Sequence, residues 1–162
     1  MIADSPPLLY CCWLGHAGKA LDTAELERAL ALSNPWARQV VRPLRAARSW
    51  MKTQDDFAKH VSATEYAALR GAIKAIELRA ERLQQQALEA IVSPAGCEAF
   101  PVEEQLELMI ASLKGYFATA GIAIDAPATA MLGTILAAAS GADPMAAQER
   151  LRLHPINSQV ES

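Results

Sequence analysis

Apolar residues recur along most of this chain at steps of three and four, the spacing that gathers side chains on one face of an α-helix. The longest such run opens at Ser62-Ala63-Thr64-Glu65. A serine three residues before a glutamate is a capping box, in which each side chain meets a backbone N–H that the first turn leaves without a partner. From there Tyr66, Leu69, Ile73, Ile76, Ala80, Leu83 and Ala87 keep a heptad rhythm, unbroken by proline, to about residue 91. A helix over 63–91 extends ~40 Å at 1.5 Å per residue. Its seam is longer than the short elements ahead of it can cover, so the C-terminal half or a second copy of the chain is expected against it.

Prolines mark other helix starts. Ser5-Pro6, Asn34-Pro35 and Asp143-Pro144 each set a capping oxygen directly before a proline at the first helical position, where the missing N–H costs nothing. Asp125 with Pro127 is a looser form of the same signal. The pattern predicts helices over 6–17, 23–32 (after an Asp22 cap), 35–52, 63–91, 102–120, 126–139 and 144–153. Pro43 lies inside the third and predicts a kink. The stretch 53–61 is polar and interrupts the pattern, and 154–162 reads as a frayed tail. The fold class is therefore all-α, a helical bundle of roughly six or seven helices built around one long central helix at about 63–91. Ser93-Pro94-Ala95-Gly96 is the strongest internal break. It suggests an N-terminal helical region, 1–92, and a C-terminal one, 97–162, packed on or next to it, with one single domain as the alternative.

Composition agrees with helix. Of 162 residues 52% are apolar and 20% charged, with alanine and leucine dominant and β-branched residues sparse. The net charge of −3 opposes nonspecific attachment of the whole chain to nucleic acid or to an anionic membrane. Cys11, Cys12 and Cys97 make an odd set whose adjacent members cannot easily bridge, which points to a reducing cytoplasm. Residues 1–19 carry no basic residue ahead of their apolar middle and make a poor signal peptide. The nearly uncharged run 126–143 falls short of the ~20 apolar residues of a membrane span. A soluble, cytoplasmic protein with no membrane partner is expected.

Candidate chemistry concentrates on the third predicted helix. Arg38, Arg42, Arg45 and Lys52, at steps of four, three and seven, share a face, with Arg48 beside them. Trp36, Val40, Leu44, Ala47 and Met51 form the opposite stripe, which is expected to face the core. Trp50 falls off that stripe, and an exposed tryptophan beside arginines suits a protein contact. Arg38, Arg42, Arg45, Trp50 and Lys52 are thus the candidate partner-binding residues. Such a row of cations can also grip phosphates. The competing expectation, which is the stronger, pairs Arg45 and Arg48 with Glu77 and Glu81 as structural ion pairs between helices.

Cys12 and His16, four apart, share a face as a nucleophile and base would, or two metal ligands. His60, His154 and Cys97 add no ligand spacing, so packing explains the pair, and no metal and no cofactor are expected. Glu103, Glu104 and Glu107 complement a helix N-terminus. Gly15, Gly18 and Gly133 fit no phosphate loop. No catalytic residue emerges.

Three separated segments carry a further signal. They are Leu8-Leu9 with Cys12-Trp13-Leu14 and the turn 18–21; Trp36 with Val40-Val41-Arg42-Pro43-Leu44-Arg45 and Arg48; and Glu77-Leu78-Arg79-Ala80-Glu81-Arg82-Leu83-Gln84. On these, residues 8–91 resemble a family of uncharacterised proteobacterial proteins, the domain of unknown function DUF2390. The resemblance implies an α-helical fold and a bacterial cytoplasmic origin, and it implies no activity. Relatives carry an additional helix before the Leu8-Leu9 segment, and the region after residue 91 matches nothing.

The expected function is that of a non-enzymatic cytoplasmic interaction protein, self-associating or docking a protein partner through the heptad seam and the Arg/Trp face. One alternative is an RNA- or ribosome-associated accessory protein using Arg38, Arg42, Arg45 and Lys52. A second is a small-ligand-binding or enzymatic protein with a pocket among the C-terminal helices, where Thr129, Thr134 and Ser140 are the isolated polar groups.

Overall fold

The computed structural model describes residues 5–91 and 100–153. Among these the chain forms helices and no strand: α1 (Ser5–His16), α2 (Thr23–Trp36), a π turn (Ala37–Val41), α3 (Arg42–Trp50), a 3-10 turn (Met51–Thr53), the single turn α4 (Asp55–Ala58), α5 (Ala63–Glu89), α6 (Val102–Ala120), α7 (Ala126–Ser140) and α8 (Pro144–Leu153). The architecture is an all-α helical bundle, and α5 is its longest helix at 27 residues. The Ser93–Gly96 break, Cys97 and the predicted tail from His154 lie outside the described residues.

Several starts are fixed by the residues that the sequence singles out. Asp22 completes a capping box, its carboxylate accepting the Glu25 N–H at 2.7 Å while the Glu25 carboxylate accepts the Asp22 N–H at 3.2 Å. Ser62 Oγ accepts the Glu65 N–H, and Asp125 and Asp143 cap α7 and α8 in the same way. Gly121 and Gly141 end α6 and α7 at φ of 63° and 76°, where a side chain would be strained.

The region 23–53 departs from expectation. Asn34-Pro35 does not start a helix; both residues lie inside α2, which continues into the π turn. There the Arg42 N–H reaches back five residues to the Ala37 carbonyl. The cause is next in line: Pro43 has no N–H for the Gln39 carbonyl and its ring crowds it. Widening the helix by one residue relieves that conflict. The additional residue also moves the inward row. Ser33, Ala37 and Val41 are buried, whereas Trp36 and Ala47, expected inside, are exposed and Val40 and Leu44 only half-buried.

α1 is apolar on nearly all sides, as suits a helix enclosed over most of its surface, with Leu9 and His16 left exposed. One side joins Leu26, Leu106, Met109, Leu113, Leu136 and Leu151 in the larger core, which draws on helices from both sides of the 93–96 break. The other side carries Tyr10 and Leu14 against Ala29 and Leu88. α5 runs back along α2 and α3, held at successive levels by Gln84 on Ser33, Trp36 on the Ala80 carbonyl and Tyr66 on the Met51 carbonyl.

Candidate functional site

The predicted basic stripe is divided between two neighbours. On the α5 side, Glu77 is buried, its side chain 6% exposed. Its Oε1 accepts from Arg45 Nε at 3.0 Å and Arg48 Nη2 at 3.3 Å, and its Oε2 accepts from Arg48 Nε at 2.6 Å. Arg45 also donates to Glu81 through Nη2. Hydrogen bonding from Arg48 holds the Glu77 carboxyl below the usual carboxylate range, against the desolvation that would raise it, with Arg45 adding to the effect. Both guanidinium groups are shifted upward in return, chiefly by Glu77. A carboxylate so enclosed locks the register of α3 on α5, and its chemistry is structural.

Arg38 and Arg42 face elsewhere. With Glu27, Leu30 and Asn34 they form one wall of a concave pocket of about 620 Å³. The other wall is the end of α6, Tyr116, Thr119 and Ala120, with Ile122 beyond it. Lys52 and Trp50 lie outside this pocket; Lys52 is exposed, and Trp50 is 63% exposed. The candidate residues are therefore not one surface: Arg45 is enclosed with Arg48, Glu77 and Glu81, Arg38 and Arg42 line a pocket, and Trp50 and Lys52 sit in solvent. Sequence reading missed Asn34, Tyr116 and Thr119. The three-four steps of Glu27, Leu30, Asn34 and Arg38 were a usable signal for one wall, but nothing in the chain announces that the end of α6 meets it.

The heptad seam of α5 is also divided. Its buried row is Glu77, Ala80, Gln84 and Leu88, with Tyr66 and Ile73 half-buried beside it. Leu69, Ile76 and Leu83 point outward and are 56%, 54% and 49% exposed. Ala68, Ala72 and Ala75 flank them, also exposed, and give a smooth apolar strip along the helix. At its C-terminal end the strip runs into an apolar groove of about 310 Å³ between α2 and α5, lined by Leu32, Ser33, Trp36, Leu83, Gln84 and Ala87. Gln84 forms its floor at 3% exposure. Its Nε2 donates to the Ser33 hydroxyl and carbonyl, while its Oε1 is buried without a partner among the described residues. An unsatisfied buried acceptor is costly and calls for a donor.

Cys11 and Cys12 are free and buried, and His16 Nδ1 is engaged by Gln105 Oε1 at 2.8 Å. Burial pushes the Cys12 thiol up to about 11 and Cys11 higher still. Both stay protonated at neutral pH, so neither is an activated nucleophile. In the native protein at pH 8, Cys11 and Cys12 are expected to label with a thiol-specific disulfide reagent at least about 100-fold more slowly than in urea. Equal rates would mean that α1 is not enclosed. Among the described residues no group of three or more His, Cys, Asp or Glu is placed to hold a metal ion, and no helix is long and apolar enough to cross a membrane.

Comparison with known proteins adds one match. The model of a family described as a protein of unknown function (DUF2390) matches residues 1–88. No curated protein and no solved structure matches the chain.

Proposed function

We propose that this chain, which belongs to the DUF2390 family of proteins of unknown function, is an interaction module rather than an enzyme and pairs with a second copy of itself along α5. The observation that carries this reading is the outward strip Leu69, Ala72, Ile76 and Leu83. Its apolar row continues for two heptad steps with none of the described residues packed over it, the kind of patch that marks a contact surface.

Charge and shape favour a second copy, antiparallel, with the two-fold axis beside Ala72. That arrangement brings Glu65 of each copy level with Arg79 of the other, and Ala68 level with Ile76. Glu65 and Arg79 are exposed and on the same face as the strip. The same axis sets Val61, 40% exposed, level with Leu83. It also brings the Phe57–Val61 stretch of one copy toward the groove of the other. His60 in that stretch supplies an N–H donor of the kind the Gln84 carbonyl lacks. Symmetric self-complementarity is what a two-fold interface requires. The proposed compartment is the cytoplasm, supported by the adjacent buried free thiols. Nucleic acid is the weaker reading, because Arg45 and Arg48 already serve Glu77.

Sedimentation of the full chain over micromolar to submillimolar concentration tests the proposal. A monomer–dimer equilibrium is expected. Ile76→Asp should abolish it without loss of helical signal, since the residue is exposed in the monomer. Glu65→Arg should weaken it by about tenfold, and adding Arg79→Glu should restore it. A monomer at every concentration sinks self-association. A dimer indifferent to Ile76→Asp sinks the α5 strip, and one lost with Ile76→Asp but indifferent to the charge swap sinks the Ala72 axis.

A further inference from the structure

We infer that the pocket beside the π turn is a binding site for a small soluble anion, a phosphate monoester or a carboxylate, gripped between Arg38 and Arg42. The volume, about 620 Å³, lies within the range of small-ligand pockets. Its polar lining carries donors: the Arg38 guanidinium, the Asn34 amide and the Thr119 hydroxyl, with the Arg42 guanidinium, which can serve more than one acceptor, beside them. Guanidinium forks match the geometry of carboxylate and phosphate oxygens, which a lysine does not reproduce.

The backbone at this point supports the assignment. π turns are rare, and they gather at functional sites because the additional residue redirects side chains out of the regular helical order. Here the widened turn, Ala37–Val41, carries Arg38 and is followed directly by Arg42. A regular helix would have kept Arg38 on the stripe of Arg45 and Lys52; the π turn rotates it away from them. The end of α6 would repel an anion if its last carbonyls were bare. Two of the last four are engaged: Gly121 N–H bonds the Ala118 carbonyl and Ile122 N–H bonds the Phe117 carbonyl.

Glu27 limits what fits. It stands eleven positions before Arg38 on α2, ~16 Å away at 1.5 Å per residue. A ligand with one anionic end at the arginines and a neutral or amino-bearing end toward Glu27 is matched; a second anion at that end is repelled. Leu30 and Ile122 line the space between them and suit an apolar body. This site is separate from the α5 strip and does not depend on self-association.

The test is an NMR titration of the full chain with phenyl phosphate and with inorganic phosphate at constant ionic strength. Saturable shifts are expected at the Arg38 and Arg42 side-chain N–H groups and at the Thr119 amide. Phenyl phosphate should bind more tightly than inorganic phosphate. Arg38→Gln, at an exposed position, should weaken binding at least tenfold with an unchanged circular dichroism spectrum. Lys52→Gln should leave it unaltered, and Glu27→Gln should tighten it several-fold by removing a like charge. Shifts that do not saturate, or that survive Arg38→Gln, overturn the site. So does a preference for an RNA oligonucleotide over phenyl phosphate that Lys52→Gln weakens equally, because that would make the arginines part of a nucleic-acid face.

Discussion

Gly15→Ala destabilises the protein by about 3 kcal/mol, at the upper end of what overpacking costs. α1 and α6 cross so closely at Gly15 that a Cβ built there would lie 2.7 Å from the Met109 backbone nitrogen and 2.9 Å from its Cα. The Met109 Cγ, at 2.4 Å, can swing aside, but the α6 backbone cannot. Relief requires the two helices to separate along the larger core, where Met109, Ile110 and Leu113 are fully buried. For a chain of this size, that cost lowers the melting temperature by about 10 °C. Thermal unfolding followed by circular dichroism measures it. A fall of less than about 2 °C would mean that α1 and α6 are not in contact at this point.

Glu77→Gln costs about 2 kcal/mol at pH 7, and the loss is specific to pH. The folded-state pKa of Glu77 is lowered by its arginine partners. A group of this kind contributes stability above its unfolded pKa, near 4.3, and loses it as pH falls through the folded value. The wild type and Glu77→Gln should therefore differ most in urea midpoint at pH 6–7 and converge below about pH 4. A gap that stays constant with pH would mean that packing, and not the ion pair, accounts for it. Arg45 and Arg48 are 39% and 22% exposed and can be hydrated when Glu77 is gone. The reverse change is worse. Removing both arginines leaves a buried carboxylate alone, at about 3–4 kcal/mol, more than the two single substitutions sum to.

Much of the fold was legible because it is written in local terms. Asp22, Ser62, Asp125 and Asp143 are caps whose partners lie two to three residues away, and the Gly121 and Gly141 stops are equally local. The errors arose where two local signals competed. Asn34-Pro35 has the form of a helix start, yet burial of Leu30, Ser33 and Ala37 on one line keeps the helix continuous through it. Pro43 announced a disturbance, but not that a π turn would absorb it and rotate Arg38 away from Arg45. The α5 seam was visible as a rhythm. Which of its edges turns inward was decided by Glu77 and Gln84, polar residues that no hydrophobic pattern would place in a core. The pocket was not legible at all, since its walls come from segments about 80 residues apart and meet only through tertiary packing.

The enclosure of α1 has a consequence for synthesis. Of the described helices it leaves the ribosome first, and it is apolar on nearly every side. Its chief neighbour is α6, and the His16–Gln105 hydrogen bond joins residues 89 apart in sequence. At translation speeds of about 5–20 residues per second, that neighbour arrives roughly 5–20 s later. α2, α3 and α5 can close on one another in the meantime, with short loops between them. One side of the first helix can join them against Ala29 and Leu88, but the side that α6 covers has to wait, its oily surface open to solvent during that interval.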